Sequence, residues 1–116
     1  MMAGKKLKWY KIADSPQSID WQSNQMAIIE AGGKTITLIR YRDEIAACAH
    51  KCPHAGGILA DGFIDALGNV VCPLHKYRFS AKNGRNISGE GYYLKAYTVE
   101  EQADGIYIGI EETGWF

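Results

Sequence analysis

Two short clusters of cysteine and histidine constrain this chain more than any other feature of its sequence. The first is Cys52-Pro53-His54 and the second is Cys72-Pro73-Leu74-His75, with residues 55–71 between them. Each cluster places one thiol and one imidazole within a few residues, and Gly56 and Gly57 follow the first cluster as turn-forming residues. Thiolates and imidazoles are ligands for zinc and for iron–sulfur clusters. The pattern therefore predicts two loops that meet around a metal centre.

The order of the ligands bears on which metal centre is formed. Zinc sites with two cysteines and two histidines usually take both cysteines from one cluster and both histidines from the other. In this chain each cluster supplies one of each. In a Rieske centre two cysteines bind one iron and two histidines bind the other, so two matching loops are a natural solution. The spacing favours the Rieske centre, and a structural zinc site is the alternative.

The residues around the ligands resemble the two signature loops of Rieske [2Fe–2S] proteins. The resemblance rests on Cys52-Pro53-His54-Ala55-Gly56-Gly57 and on Cys72-Pro73-Leu74-His75-Lys76-Tyr77-Arg78-Phe79, and it extends more loosely over most of the chain. It implies one [2Fe–2S] cluster per chain, bound by Cys52, His54, Cys72 and His75, and no catalytic residue. It also implies an all-β fold, an antiparallel sandwich of Rieske type that carries a small, loop-rich cluster-binding subdomain.

Two departures from the respiratory members of that family indicate a different branch. Respiratory Rieske proteins carry two further cysteines that join the loops by a disulfide, and the matching positions here are Gly57 and Leu74. Tyr77 occupies the position at which those respiratory proteins have a serine whose hydroxyl hydrogen-bonds the cluster. Because hydrogen bonds to the sulfurs raise the potential, we expect the low part of the Rieske range of roughly −150 to +300 mV. The chain resembles the soluble ferredoxins associated with oxygenases.

Short β-rich runs separated by Gly, Asn and Asp residues predict an all-β fold. The sequence predicts a hairpin turn at residues 31–34 and one short helical turn within residues 14–20. We expect a single domain over residues 1–116, with the cluster-binding subdomain at approximately 50–82. The predicted strands are 8–12, 25–30, 35–41, 44–49, 92–100 and 106–110.

Composition excludes several functions. Lys plus Arg and Asp plus Glu both number 13, so the net charge is zero and a nucleic-acid partner is not expected. The apolar runs are far shorter than the roughly 20 residues of a membrane helix, and the N-terminus does not resemble a secretory signal. We therefore expect a soluble, cytoplasmic protein. Three cysteines in such a chain argue against a disulfide framework.

A second Cys-x-His sequence, Cys48-Ala49-His50, competes with the first cluster. It lacks the glycines that follow His54, and it lies four residues further from Cys72. We expect Cys48 to be a small buried residue of a strand and His50 to be an exposed loop residue.

The expected function is that of a soluble one-electron carrier and not of an enzyme, because the chain has no room for a second domain with a mononuclear iron site. The partners would be a reductase as donor and an oxygenase or similar enzyme as acceptor. The alternatives are a small Rieske subunit of a larger redox enzyme, such as an assimilatory nitrite reductase, and a zinc-stabilised interaction module. Lys51 and Lys76 flank the two loops. They are either ordinary solvated lysines or part of a face that docks an acidic partner.

Overall fold

The computed structural model describes residues 6–52, 56–74, 78–81 and 94–111. Within these ranges the chain forms nine β-strands and two short 3-10 helices, so the predicted all-β antiparallel class is confirmed. The 3-10 helices are Pro16–Ser18 and Leu59–Asp61. The strands are β1 (Leu7–Ala13), β2 (Met26–Ala31), β3 (Lys34–Tyr41), β4 (Glu44–Ala49), β5 (Phe63–Ile64), β6 (Asn69–Val71), β7 (Arg78–Ser80), β8 (Ala96–Gln102) and β9 (Gly105–Glu111).

Six strands form one antiparallel sheet in the order β1-β9-β8-β4-β3-β2. Two tight hairpins build its β2-β3-β4 half. Gly32 and Gly33, with φ angles of 59° and 78°, turn β2 into β3, and this confirms the hairpin predicted at 31–34. Arg42 and Asp43, with φ angles of 52° and 65°, turn β3 into β4. Two successive positive φ angles match the twist of the flanking strands, which favours such turns in hairpins.

The six-stranded sheet curls so that its two edges approach each other. A side chain at Gly32, next to β2, would lie 3.1 Å from the Tyr10 ring of β1 and from Ile110 of β9. The curl encloses the first of two hydrophobic cores. Its buried members are Ile19, Ala27, Ala31, Ile36, Leu38, Ala47, Ile106, Ile108 and Ile110.

The other three strands form a small antiparallel sheet in the order β5-β6-β7. A second core lies between this sheet and the β2-β3-β4 half of the large one. Its buried members are Met26, Ile39, Cys48, Cys52, Leu59, Ala60, Val70, Cys72, Phe79 and Leu94. The two cysteines of the predicted ligand set, Cys52 and Cys72, therefore lie in a buried layer between the two sheets.

The sequence predicts the long strands well and omits the short ones. The predicted strand at 44–49 has the bounds of β4, and the other five predictions overlap β1, β2, β3, β8 and β9. The strand predicted at 92–100 begins only at Ala96; residues 92–93 lie outside the described part of the chain. Strands β5, β6 and β7 are two or three residues long, too short to show a period-two pattern. Of the residues described, no helix is long and apolar enough to cross a membrane.

A tyrosine attaches the small sheet to β3. The Tyr41 hydroxyl donates a hydrogen bond of 2.6 Å to the Ala66 carbonyl oxygen, in the turn between β5 and β6. The ring lies against Gly68, where a Cβ would be only 2.8 Å from the nearest ring carbon. Gly68 also has a φ of 86°, so both its conformation and its neighbour require glycine.

We predict that Gly68→Ala destabilises the protein more than Gly33→Ala does. Both residues have positive φ, so each alanine costs about 1 kcal/mol of strain. A Cβ at position 33 meets nothing within 4 Å, whereas a Cβ at position 68 must displace a ring that its hydroxyl bond holds in place. This displacement costs about 1–3 kcal/mol more. Denaturant unfolding of the two variants and the wild type measures the difference, and equal losses of stability would contradict the predicted role of the tyrosine.

Candidate metal centre

The first cluster lies in a six-residue loop that backbone hydrogen bonds close. The bridge between Lys51 and Ile58 forms its base. Inside it the Cys52 N–H donates to the Gly57 carbonyl oxygen at 2.7 Å, and the Gly56 N–H donates to the Cys52 carbonyl oxygen at 2.9 Å. Gly56 has a φ of 72°, which glycine adopts without strain. The loop over residues 52–57 therefore begins with a cysteine whose backbone is fixed on both sides.

The second cluster lies in a loop of the same length. Val71 of β6 pairs with Arg78 of β7, so residues 72–77 form the connection between two hydrogen-bonded strands. Cys72 is again the first residue after the closing pair. The Leu74 N–H hydrogen bonds to the sulfur of Cys72. Two loops of equal length thus present a cysteine at equivalent positions.

The two loops contact each other through Gly57. A Cβ at this position would lie 3.1 Å from the Cγ of Leu74 and 3.2 Å from the Sγ of Cys72. A Cβ here is tight against both, so Leu74 or the Cys72 sulfur would have to shift by a few tenths of an ångström to admit one. The structure therefore brings together two positions, Gly57 and Leu74, that match the extra cysteines of the respiratory branch of the Rieske family, from which this sequence departs.

The two cysteines form a pair of buried sulfurs. Cys52 is 3% exposed and Cys72 is fully buried, and their thiols are within hydrogen-bonding reach of each other. The pKa of the Cys72 thiol is raised to about 11, mainly by burial and also by the adjacent Cys52, whereas the Leu74 N–H acts to lower it. Two neighbouring thiolates in an apolar layer need a compensating cation. This donor set fits the all-cysteine iron of a Rieske cluster.

The histidines of the predicted set, His54 and His75, lie outside the described residues, as do Lys76 and Tyr77. In the described ranges alone, three or more His, Cys, Asp or Glu side chains do not meet at one point. The ligand set of Cys52, His54, Cys72 and His75 therefore stays a prediction. Its two cysteines are brought together, and each histidine belongs by position to one of the two closed loops.

In the competing Cys48-Ala49-His50 sequence, the expected burial of Cys48 in a strand is confirmed, whereas the expected exposure of His50 is wrong. Cys48 lies in β4, is 1% exposed, and burial raises the pKa of its thiol to about 12. His50 is half-buried rather than exposed. Its Nδ1 lies 3.5 Å from the hydroxyl of the buried Thr37, and its carbonyl oxygen accepts the Leu59 N–H at 3.0 Å. The chain beyond β4 packs back onto β3, and this covers a histidine that the sequence places in a loop.

A carboxylate supports the strands on either side of the second loop. Asp65 accepts the backbone N–H groups of Leu67 and Asn69 at 2.9 and 3.0 Å, and it lies 3.9 Å from the guanidinium of Arg78. Burial acts to raise the pKa of Asp65, but the hydrogen bonds from Asn69 and Leu67 and the charge of Arg78 outweigh it and lower the pKa. The carboxylate stays ionised and holds the β5–β6 turn beside β7.

Comparison with known proteins identifies the family. A model of the Rieske [2Fe–2S] domain matches residues 8–96. The chain is 23% identical over 92 residues to the ferredoxin component of the alkene monooxygenase system of Xanthobacter autotrophicus, covering 79% of this chain and 75% of that protein. The chain also matches three much longer proteins, of which it covers only 11–24%.

Two solved structures share the fold. The ferredoxin of carbazole 1,9a-dioxygenase from Nocardioides aromaticivorans IC177 has a TM-score of 0.74 at 22% identity, over 87% of this chain and 96% of that one. A protein assigned as the small subunit of an NADH-dependent nitrite reductase from Mycobacterium tuberculosis has a TM-score of 0.75 at 18% identity, over 90% and 96%.

The chain belongs to the Rieske [2Fe–2S] domain family. Its cofactor is a [2Fe–2S] cluster, and it is an electron-transfer protein. The family, cofactor and function class expected from the two loops are confirmed.

We predict that the double variant Gly57→Cys/Leu74→Cys forms a disulfide. In a disulfide one Cβ lies about 3 Å from the partner's Sγ. The 3.1 Å between a Cβ at position 57 and the Leu74 Cγ already matches this separation. Intact mass measurement after cluster removal should show a species two hydrogens lighter than the reduced chain. The single variant Gly57→Cys is the control. Five free thiols in the oxidised double variant, instead of the three of Cys48, Cys52 and Cys72, would show that the loops are further apart.

Proposed function

We propose that this protein is a stand-alone Rieske ferredoxin that passes single electrons from a reductase to an oxygenase. The observation that carries the proposal is the contact of two closed, six-residue loops at Gly57, each with one cysteine and one histidine in its sequence. The relative that is the ferredoxin component of a monooxygenase system supports the choice of acceptor.

In this proposal Cys52 and Cys72 hold one iron, and His54 and His75 hold the other. When bound, the cluster accepts and releases one electron at a time. The chain's own residues exclude water from the two sulfurs, which lie in the second core. The Leu74 N–H donates to the Cys72 sulfur and so helps to set the potential of the site.

The division of the chain and its location are parts of the same proposal. We propose a single Rieske domain over 1–116, in which a cluster-binding subdomain at approximately 50–82 is inserted into the large sheet. The small sheet, with strands from Phe63 to Ser80, and the first loop both fall in this range, which supports the division. We propose a cytoplasmic location as well.

The alternative is a small subunit that stays bound to a larger reductase. The likeness to the nitrite reductase small subunit is one of fold, so the fold is compatible with both. The identified cofactor leaves no support for the zinc-stabilised module. Gel filtration of the native protein from its own host distinguishes a stand-alone ferredoxin from a subunit of a larger reductase. A ferredoxin elutes without a stoichiometric larger polypeptide, and co-elution with a large reductase subunit would overturn the proposed stand-alone role.

We predict that each proposed ligand is needed for the cluster and that Cys48 is not. Cys52→Ser, Cys72→Ser, His54→Ala and His75→Ala should lower the iron content from about two atoms per chain to near zero. They should also abolish the Rieske EPR signal of the reduced protein. Cys48→Ala is the matched control, because Cys48 is equally buried and belongs to the same core. A cluster lost in Cys48→Ala and kept in Cys52→Ser would contradict the assignment.

We predict that Lys51 increases the rate of electron transfer with an acidic partner. Lys51 is exposed and lies at the base of the first loop, beside Cys52. Lys51→Glu should slow reduction by the host reductase about threefold at low salt, and the difference should shrink as salt rises. Arg42→Glu, at the opposite end of the β3–β4 hairpin, is the charge-matched control. Equal rates for both variants would make Lys51 an ordinary solvated residue.

A further inference from the structure

The side chain of Asn24 joins the large sheet to the segment between the two loops. Its Nδ2 donates one hydrogen bond of 2.7 Å to the Ala60 carbonyl oxygen and a second of 3.0 Å to the Gly62 carbonyl oxygen. Both N–H groups of the amide are therefore used on a segment 36 and 38 residues away in sequence. These carbonyls lie at the C-terminal end of the 3-10 helix Leu59–Asp61, where helices leave acceptors without internal partners.

The amide of Asn24 is itself held in place. Its Oδ1 accepts the Met26 N–H and the Gln22 Nε2, both at 3.2 Å. Backbone bonds from Gln22 N–H to the Met26 carbonyl (2.8 Å) and from Gln25 N–H to the Gln22 carbonyl (3.0 Å) close the turn that carries it. Gln25 adopts a φ of 67°, which is unfavourable for a residue other than glycine. The turn keeps a fixed shape just before β2, and Asn24 projects from it with a defined direction.

The segment that Asn24 binds leads to both cysteines. Towards the N-terminus it continues through Ile58 into the base of the first loop. Towards the C-terminus, Gly62 packs so closely on the second loop that a Cβ there would overlap the Val71 carbonyl oxygen and lie 3.2 Å from Pro73. Val71 and Pro73 are the residues on either side of Cys72. One side chain of the turn before β2 thus fixes the backbone that supports both cysteines.

We propose that Asn24 is a positioning residue for the cluster: its two hydrogen bonds to Ala60 and Gly62 set the separation and orientation of the two cluster-binding loops. The inference rests on the proposed ligand set, because it acts through the loops of Cys52 and Cys72. It makes the geometry of the iron–sulfur site depend on a polar turn that contributes no ligand.

The test compares cluster-loaded variants for release of iron to a chelator and for the EPR spectrum after reduction. Asn24→Ala removes both bonds, and Asn24→Asp removes both donors while it keeps the size of the side chain and the acceptor for Met26. Each should release iron about fivefold faster than the wild type, with shifted or broadened EPR features. Gln22→Ala removes one bond to Ala60 and one to the Asn24 Oδ1, but it leaves both bonds that Asn24 donates to Ala60 and Gly62, so we expect less than a twofold change.

The stability control is Ile106→Val, which removes a methylene from the first core, away from the cysteines. If the Asn24 variants release iron no faster than Ile106→Val and keep the wild-type EPR spectrum, Asn24 has only a structural role and the inference fails. If Asn24→Ala does not fold, Asn24→Asp decides by the same two measurements. A wrong ligand assignment is detected separately, as an unaltered cluster in Cys72→Ser, and it does not depend on the Asn24 variants.

Discussion

The fold depends on the burial of β3 and β4 on both of their faces. Ile36 and Leu38 of β3 point into the curl of the large sheet, whereas Ile39 points into the layer beneath the small sheet. In β4, Ala47 and Cys48 divide between the two cores in the same way. Because successive side chains of a strand point to opposite faces, this hairpin must be covered twice. The small sheet and the cluster loops are the second cover.

This arrangement explains how a loop-rich site keeps a defined geometry. Cys52 follows β4 after two residues, so its backbone starts close to a hairpin that is buried on both faces. Cys72 follows β6, whose Val70 and Val71 are fully buried. The loops approach most closely where one of them has Gly57, since the absence of a Cβ leaves room for the second sulfur. No disulfide joins positions 57 and 74, so packing and, in the proposed ligand set, the shared cluster hold these loops together.

The polar contacts near the site place the small sheet on the large one. Tyr41 reaches the β5–β6 turn from one side, and Asn24 reaches the segment before β5 from the other. Each bond satisfies a carbonyl oxygen at an element end, where the regular ladder supplies no donor. Two side chains remote in sequence, Tyr41 of β3 and Asn24 of the turn before β2, therefore help to hold the small sheet against the large one.

The sequence by itself determined the family, the cofactor class, the long strands and the burial of Cys48, because each depends on local spacing or on a period of two residues. It did not show the short strands β5–β7, the half-burial of His50 or the role of Asn24. Residues 22–25 are typical of an ordinary polar turn, with no sign of a contact 36 residues further on. These features depend on which segments pack across the second core. Only the tertiary structure decides that, because the contacts join positions remote in the chain.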